Sequence, residues 1–197
     1  GPSSVQSSPY ALGFTDSTYG LTAVSGSTSI SLITDRIRID SIGVVNARIN
    51  VNSQGTFYAT ESLEYDNHAL GSGDLLSLGS YAFSWNAGNN RFEAVDTKAT
   101  VQIVTINSFT SGSEATYGIT AGNINSKSGS IIWDRLEVYA CSTTDDRADI
   151  SSNVEYRWHL RYDYDHVTFD NTKGSVTIGG LTATWDAGNN RWYRTVT

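Results

Sequence analysis

The stretch "VEYRWHLRYDY", residues 154–164, decides the fold class. Its apolar and aromatic side chains occupy every second position: Val154, Tyr156, Trp158, Leu160, Tyr162 and Tyr164. Because successive side chains of a strand point to opposite faces, this pattern places one face on a core and the other in water. No stretch of the sequence carries a convincing helical period, and Pro occurs only at positions 2 and 9. We therefore expect an all-β protein.

The same stretch belongs to a long internal repeat. Asp35-Arg36 recurs 99 residues later as Asp134-Arg135, Tyr65-Asp66 recurs as Tyr164-Asp165, and Trp85 recurs as Trp185 at a shift of 100. A unit of about one hundred residues has the size of an immunoglobulin-like sandwich. The repeat predicts two tandem immunoglobulin-like β-sandwich domains, over residues 25–124 and 125–197.

A turn signal also recurs in both copies. "AGNN" lies between Trp85 and Phe92 in the first copy and between Trp185 and Trp192 in the second. Gly and Asn are the residues that a hairpin uses where the backbone needs positive φ. We expect a β-hairpin at each of the two positions.

The N-terminus resembles the end of the repeat rather than its beginning. "TYGLTAVSGSTSIS", from Thr18, matches "TYGITAGNINSKSGSI", from Thr116, and "VQSSPYALGFT" (5–15) lines up with "VQIVTINSFT" (101–110). The second copy runs to "WDAGNNRWYRTVT" (185–197), which corresponds to 85–97 of the first copy. We expect the second domain to lack its last strand or strands, and residues 1–24 to carry that missing ending.

A sandwich without its last strand exposes unpaired backbone groups at a sheet edge and a cleft over its core. A segment of another molecule can fill such a cleft by donor-strand complementation. We expect residues 1–24 of one copy to complete the second domain of the next, which makes the partner a further copy of the chain and the contact head-to-tail. The donor side chains predicted to fill pockets are Val5, Tyr10, Leu12, Phe14, Tyr19 and Leu21.

A second interpretation stays open. The sequence could be an arbitrary piece of a longer array of repeats that serves adhesion or spacing at a cell surface. The N-terminal fragment would then be the end of a preceding unit of the same chain.

Three stretches, "SIIWDRLEV", "STTDDRADISSNVEYRWHLRYDYD" and "GLTATWDAGNNRWYRTVT", resemble tandem β-sandwich repeats of large archaeal cell-surface proteins. The likeness covers most of both copies and is looser in the first, where Asn46 and Asn50 replace Asp145 and Asp149. The resemblance implies an extracellular, immunoglobulin-like surface module and transfers no catalytic residue.

Composition argues against several classes of partner. Only 17% of the residues are charged and the net charge is -7, whereas a nucleic-acid surface needs clustered Lys and Arg. No apolar run reaches the length of a membrane span.

Cys141 is the only cysteine, so no disulfide forms within one chain. Because it aligns with Ile42, we expect a small buried side chain there.

Candidate chemical sites are weak. Asp145, Asp146 and Asp149 could ligate Ca²⁺, but Arg147 lies among them, and a turn held by Asp side chains and an ion pair is the preferred interpretation. The three His residues share no metal-ligand spacing, and no nucleophile-elbow sequence is present. We expect no enzyme activity and no cofactor.

The aromatic residues leave one more alternative, a carbohydrate-binding module. It requires solvent-exposed, coplanar rings on one sheet face and predicts that glycan binding is lost when Trp133 or Trp192 is changed to Ala. The preferred interpretation places Trp85, Trp158 and Trp185 in a sandwich core, because aromatic residues on alternating strands usually pack there.

Overall fold

A computed structural model describes residues 6–10, 18 and 30–197, with side chains described at 18 and from 31 onwards. The described residues form strands and turns only, so the predicted all-β class is confirmed, and the immunoglobulin-like arrangement stays a prediction. Within these residues, no helix is present that could cross a membrane.

Two compact units make up the chain, and each takes residues from several parts of the sequence. Unit 1 contains residues 1–45, 56–95 and 105–129, and unit 2 contains residues 46–55, 96–104 and 130–197. The second unit therefore includes two segments, 46–55 and 96–104, that come from the first copy of the repeat.

A seven-stranded sheet dominates unit 1, in the order β10-β6-β7-β8-β5-β3-β11. These strands are β3 (Ile37–Val44), β5 (Gln54–Leu63), β6 (Leu75–Leu78), β7 (Tyr81–Asn86), β8 (Arg91–Thr97), β10 (Phe109–Ser113) and β11 (Gly122–Asn123). The two outer strands lie close together, as a Cβ on Gly122 of β11 would collide with the ring of Phe109 in β10. The sheet thus rolls around its own core, whose fully buried side chains include Ile37, Ile39, Phe57, Leu78 and Phe92.

Unit 2 is built on a four-stranded sheet in the order β13-β14-β18-β17. The strands are β13 (Leu136–Thr143), β14 (Val154–Tyr162), β17 (Thr184–Asp186) and β18 (Arg191–Val196), beside a small hairpin of β15 (Thr177–Ile178) and β16 (Leu181–Thr182). Phe169, Ala183 and Trp192 form its buried cluster, and the indole of Trp192 donates to the carbonyl of Phe169 at 2.7 Å.

Three further strands form a sheet in the order β4-β12-β9: β4 (Arg48–Asn50), β9 (Gln102–Ile106) and β12 (Gly129–Asp134). The N-terminus repeats part of this arrangement, since β1 (Gln6–Tyr10) pairs antiparallel with β2 (Ile30–Thr34). In the repeat, β1 corresponds to β9 and β2 to β12, so the sequence match at the N-terminus is accompanied by the same strand neighbours.

The Asp-Arg pair of each copy holds the same turn. Asp35 Oδ1 accepts hydrogen bonds from the backbone N of Arg36 at 2.8 Å and of Tyr65 at 3.0 Å. Asp134 Oδ1 accepts from the backbone N of Arg135 and Tyr164 at the same two distances. Conserved geometry of this kind confirms that the 99-residue repeat is structural as well as sequential.

The "AGNN" hairpins form where the sequence predicts them. Strand β7 pairs with β8 in the first copy and β17 with β18 in the second. Asn90 and Asn190 adopt the left-handed conformation, with φ of 52° at Asn190 and 49° at Asn90. Asn tolerates this region because its short polar side chain bonds locally, so the predicted positive φ falls on the last Asn of each turn.

Candidate functional site

Strand β3 of unit 1 is covered by the segment that ends the repeat. Strand β11 pairs in parallel with β3, and the backbone N of Ile37 donates to the carbonyl of Ala121 at 2.7 Å. A Cβ on Gly112 of β10 would lie 3.0 Å from Ile37 Cδ1. Ile37 and Ile39 are fully buried as a result.

Strand β13 is the counterpart of β3 in unit 2 and has no such cover. It is the outer strand of its sheet, and among the described residues β14 alone pairs with it. Leu136 and Val138 take the places of Ile37 and Ile39, yet they are 46% and 56% exposed. An apolar strand with an unpaired edge is a ready template for a further strand.

In unit 1 the ending of the repeat also pairs with a second strand, β6. The counterpart of that strand in unit 2 lacks this partner among the described residues. Strand β6 pairs with β10 on one side and with β7 on the other, and its Leu76 and Leu78 are buried. Its counterpart β15 pairs with β16 only, within the described part of the chain. Leu181 in β16 is 53% exposed. Both strands that pair with residues 109–123 in unit 1 therefore have counterparts in unit 2 that lack this partner among the described residues.

The uncovered face is continuous along β13 and β14. Cross-strand partners share a face, and Leu136 is opposite Tyr162, Val138 opposite Leu160, and Cys141 opposite Trp158. Tyr156, which aligns with the fully buried Phe57, is exposed and stacks on Trp158 with ring centroids 5.8 Å apart. We define the open face of unit 2 by Leu136, Val138, Cys141, Tyr156 and Leu181.

Cys141 corrects one expectation from the sequence. Its thiol was predicted to be buried because it aligns with Ile42, but the residue is exposed. The alignment of Cys141 with Ile42 and its assignment to the core-side face of β13 are both correct. The side chain is exposed because nothing among the described residues covers this part of β13, where it borders a shallow cavity of about 280 Å³ together with Tyr156 and Trp158.

Charged groups in ion pairs lie on the other face of the same two strands. On the opposite side of β13 and β14, Arg161 Nε lies 2.7 Å from Glu137 Oε2, and Arg157 Nε lies 2.6 Å from Glu155 Oε1. These charges alternate with the open-face residues along each strand. The face itself therefore offers apolar contact and backbone pairing rather than a charged ligand site.

The predicted donor residues cannot be placed against this face. Val5, Leu12, Phe14, Tyr19 and Leu21 lie outside the described residues, and Tyr10 is described only by its backbone, in β1. That donor set stays a prediction.

The weak metal candidates lie in an exposed loop. Asp145, Asp146 and Asp149 belong to the turn between β13 and β14. Nowhere in residues 30–197 do three or more His, Cys, Asp or Glu side chains come together in a way that could hold a metal ion.

The two tryptophans that a carbohydrate platform requires are buried. Trp133 is fully buried and donates from Nε1 to the carbonyl of Ser53 at 2.9 Å, and Trp192 is also buried. Neither ring is available for stacking on a sugar, so these two residues do not meet the requirement of the carbohydrate-binding alternative. Trp85, Trp158 and Trp185 are partly buried, and Trp185 packs on Trp192 with ring centroids 5.4 Å apart.

Sequence reasoning missed the residues of the open face. The signal was present in the alignment of Leu136 and Val138 with Ile37 and Ile39, but the sequence alone does not say which segment covers a strand. It also missed Arg48, which binds both Asp134 and Asp165 in unit 2.

Comparisons with known proteins assign the chain to no family. No family model and no curated protein matches the chain. The solved structure of FdeC, an Escherichia coli adhesin, is similar over 90% of this chain with a TM-score of 0.44 and 14% sequence identity. The chain spans 61% of the length of that structure.

Proposed function

We propose that this chain is a non-enzymatic, structural subunit of an extracellular filament, assembled head-to-tail by donor-strand complementation. The N-terminal segment of one copy would lie on the open face of unit 2 of the next copy. The observation that carries the proposal is the contrast between Ile37 and Ile39, which are fully buried, and Leu136 and Val138, which are about half exposed.

The N-terminal segment is the natural occupant because it matches the segment that covers β3. Phe14 aligns with Phe109 and Tyr19 with Tyr117 of the unit 1 ending. In the complete copy, residues 96–104 belong to unit 2 and residues 105–129 belong to unit 1. Strand β1 likewise pairs within its own chain. By this parallel, the residues that follow Tyr10, including Leu12, Phe14, Tyr19 and Leu21, are those that would be donated.

The energetics favour a stable junction. Burying an apolar side chain of this size contributes about 1.5–3 kcal/mol, and three to five of them outweigh the cost of ordering a short extended segment. A strand that pairs with β13 would also satisfy the unpaired backbone groups along its outer edge. Because the donor and acceptor surfaces differ, the contact is heterologous and need not close, which allows it to continue into an open filament.

The test uses two variants, each with one damaged surface. Phe14→Asp damages the donor and Leu136→Asp damages the acceptor, since each would bury an unpaired charge. Leu75→Asp is the control, because Leu75 is an exposed leucine of unit 1, even more exposed than Leu136, and lies outside both surfaces. Electron microscopy and size-exclusion chromatography measure assembly at micromolar concentration.

We expect fibres from the unaltered chain and from Leu75→Asp, and monomers from each surface variant alone. An equimolar mixture of Phe14→Asp and Leu136→Asp should give heterodimers, because one intact donor and one intact acceptor remain. Fibres from both surface variants would contradict the proposal. A monomeric unaltered chain would favour a piece of a longer surface array, in which the ending is supplied by the same polypeptide.

A further inference from the structure

A groove on unit 1 is left open beside β2. It has a volume of about 480 Å³ and is bordered by Leu32, Ile33, Asp35, Leu63, Tyr65 and Asp66, among others. Leu32 and Ile33 are 54% and 51% exposed. A pair of adjacent aliphatic residues in a strand, next to two carboxylates, is an unusual surface for a protein to leave uncovered.

The corresponding place in unit 2 is filled by residues 46–55. Strand β4 pairs in parallel with β12, so that Arg48 is opposite Ile132 and Ile49 opposite Trp133. The backbone N of Ile132 donates to the carbonyl of Ala47, and that of Val51 to the carbonyl of Asp134, both at 2.9 Å. Ile131, which aligns with Leu32, is fully buried there.

Arg48 fixes this segment through two carboxylates. Its Nη1 lies 2.6 Å from Asp134 Oδ2, its Nη2 binds Asp165 Oδ2, and its Cζ lies 4.3 Å from the centre of the Tyr162 ring. The Asp134 side chain is almost fully buried. The guanidinium presents two nitrogens in a fixed planar fork to the two acids, whereas a lysine ammonium is a point charge without that geometry.

Unit 1 holds the same two carboxylates in the same way. Asp35 and Asp66 align with Asp134 and Asp165. Asp35 Oδ1 accepts from the backbone N of Arg36 and Tyr65, and Asp66 Oδ1 accepts from the backbone N of His68 at 2.9 Å. Among the described residues, no group donates to Oδ2 of either acid. These are the two atoms whose counterparts bind Arg48 in unit 2.

The segment that matches residues 46–55 is the loop 145–154, and its turn at 149–152 has the same backbone geometry as the turn at 50–53. The backbone N of Ser152 donates to the carbonyl of Asp149 at 3.0 Å, as Ser53 does to Asn50. Ser151 has a φ of 72° where Asn52 has 65°. In this loop Arg147 aligns with Arg48, and Ile150 is 99% exposed. A preformed loop loses little conformational freedom when it binds.

The side-chain sizes on the two surfaces are complementary. In unit 2, Gly55 faces Trp133, where a Cβ on the glycine would lie 2.7 Å from the ring. The loop has Val154 at the place of Gly55, and β2 has Thr34 at the place of Trp133. The larger residue on one side matches the smaller residue on the other.

We propose that the loop 145–154 of one copy binds the groove beside β2 in unit 1 of a second copy. Arg147 would bridge Asp35 and Asp66, and residues 147–149 would pair in parallel with β2. This interface uses neither the open face of unit 2 nor the N-terminal segment. It would add a second contact to the head-to-tail junction.

Disulfide trapping tests the predicted register. Trp133 is opposite Ile49 in unit 2, so Thr34 of one copy should be opposite Ala148 of the other. All variants carry Cys141→Ser, because that thiol is exposed. Chains with Thr34→Cys are mixed with mass-tagged chains that carry Ala148→Cys, oxidised mildly and separated without reductant. Ser72→Cys, at an exposed loop position, replaces Thr34→Cys in the control mixture.

We expect mixed dimers to exceed those of the Ser72→Cys control at least five-fold, and Arg147→Glu in the Ala148→Cys chain to remove the excess. Equal yields in the two mixtures would overturn the proposal, as would trapping that Arg147→Glu leaves unchanged.

Repeating the mixture with Phe14→Asp in both chains separates the two interfaces. Trapping that persists in this background, without fibres, supports the groove. It counts against donor-strand assembly only if the unaltered chain forms no fibres either. Fibres of the unaltered chain without trapping would support donor-strand assembly and overturn the groove.

Discussion

Ile37 is fully buried, whereas Leu136, which occupies the same place in the repeat 99 residues later, is 46% exposed. The two residues begin equivalent strands, β3 and β13, and each is opposite the last part of the next long strand. The difference is the cover: β11 pairs with β3, and no described strand pairs with the outer edge of β13. The same sequence position therefore serves a core in one unit and an open surface in the other.

This contrast predicts different costs for the same kind of truncation. Ile37→Ala should lower the free energy of unfolding by about 2–5 kcal/mol, because it leaves a cavity in a closed core. Leu136→Ala should cost less than about 1 kcal/mol in the monomer, because its side chain is half exposed. Urea unfolding, in a Phe14→Asp background that should keep the chain monomeric if the proposed assembly holds, measures both.

Assembly, unlike the stability of the monomer, should be sensitive to truncation of Leu136. Leu136→Ala should raise the concentration needed for fibre formation, since the side chain becomes buried at the junction. A large loss of monomer stability from Leu136→Ala would mean that the face is already covered within one chain.

The sequence was a good guide wherever a local pattern sets the structure. The alternation in residues 154–164 predicted β14, and the two "AGNN" turns predicted the hairpins that place Asn90 and Asn190 at positive φ. Both depend on neighbours in the sequence, either through the two faces of a strand or through the backbone freedom of Asn.

The sequence was a poor guide wherever the exposure of a residue depends on a distant segment that packs over it. Cys141 lies on the predicted face of β13, but its exposure depends on whether another strand packs there. The binding of residues 46–55 within unit 2 depends on β12, about 85 residues away, and no local pattern announces such a pairing. The burial of Glu61 was not predicted either, because a charged residue in an alternating strand is normally expected on the solvent face.

Glu61 should make unit 1 less stable as pH rises. Its carboxyl group is 2% exposed and neither oxygen has a partner within the described residues, and this burial, together with the charges of Asp74 and Asp40, raises its pKa from 4.5 to about 8. Between those two values the unfolded chain has lost the proton while the folded chain keeps it. The free energy of unfolding should therefore fall from about pH 4.5 to pH 8, by about 5 kcal/mol at most, since each pKa unit is worth about 1.4 kcal/mol.

Glu61→Leu tests this dependence, because leucine is the residue at the matching position 160. We expect the variant to be more stable than the unaltered chain at pH 8 and to lose that part of the pH slope, as measured by urea unfolding at several pH values. Glu64→Gln is the contrasting control. The hydrogen bond from Arg36 lowers the pKa of Glu64, so its contribution is present above the unfolded pKa and is lost as pH falls. An unchanged slope in Glu61→Leu would mean that water reaches the carboxyl group.

Gly55 should not tolerate a side chain. A Cβ there would lie 2.7 Å from the Trp133 ring and 3.0 Å from Cδ1 of both Ile131 and Ile49. The ring cannot move freely, because its Nε1 donates to the carbonyl of Ser53. Gly55→Ala should lower the melting temperature and cost about 1–3 kcal/mol through overpacking. Gly188→Ala, whose Cβ would meet only Asp186 Oδ1 at 3.5 Å, should have little effect, and equal effects would contradict the packing argument.

Arg48 and Arg147 should separate folding from assembly. Arg48→Ala removes the cation that pairs with the buried carboxylate of Asp134 and with Asp165, whose pKa the hydrogen bond from Arg48 lowers. Leaving Asp134 buried without a cation should cost about 2–4 kcal/mol. Arg147→Ala should change the free energy of unfolding by less than about 0.5 kcal/mol, because its side chain is exposed in the monomer.

The same pair of variants should give the opposite result in disulfide trapping between copies. Arg147→Ala should reduce the mixed Thr34–Ala148 dimer several-fold, since Asp35 and Asp66 then have no guanidinium to bridge them. Arg48→Lys offers a milder change at the internal site, because an ammonium keeps the charge but lacks the fixed planar fork, and it should recover only part of the stability. If Arg147→Ala destabilised the monomer as much as Arg48→Ala does, the loop 145–154 would already be bound within its own chain, and the groove beside β2 would need another partner.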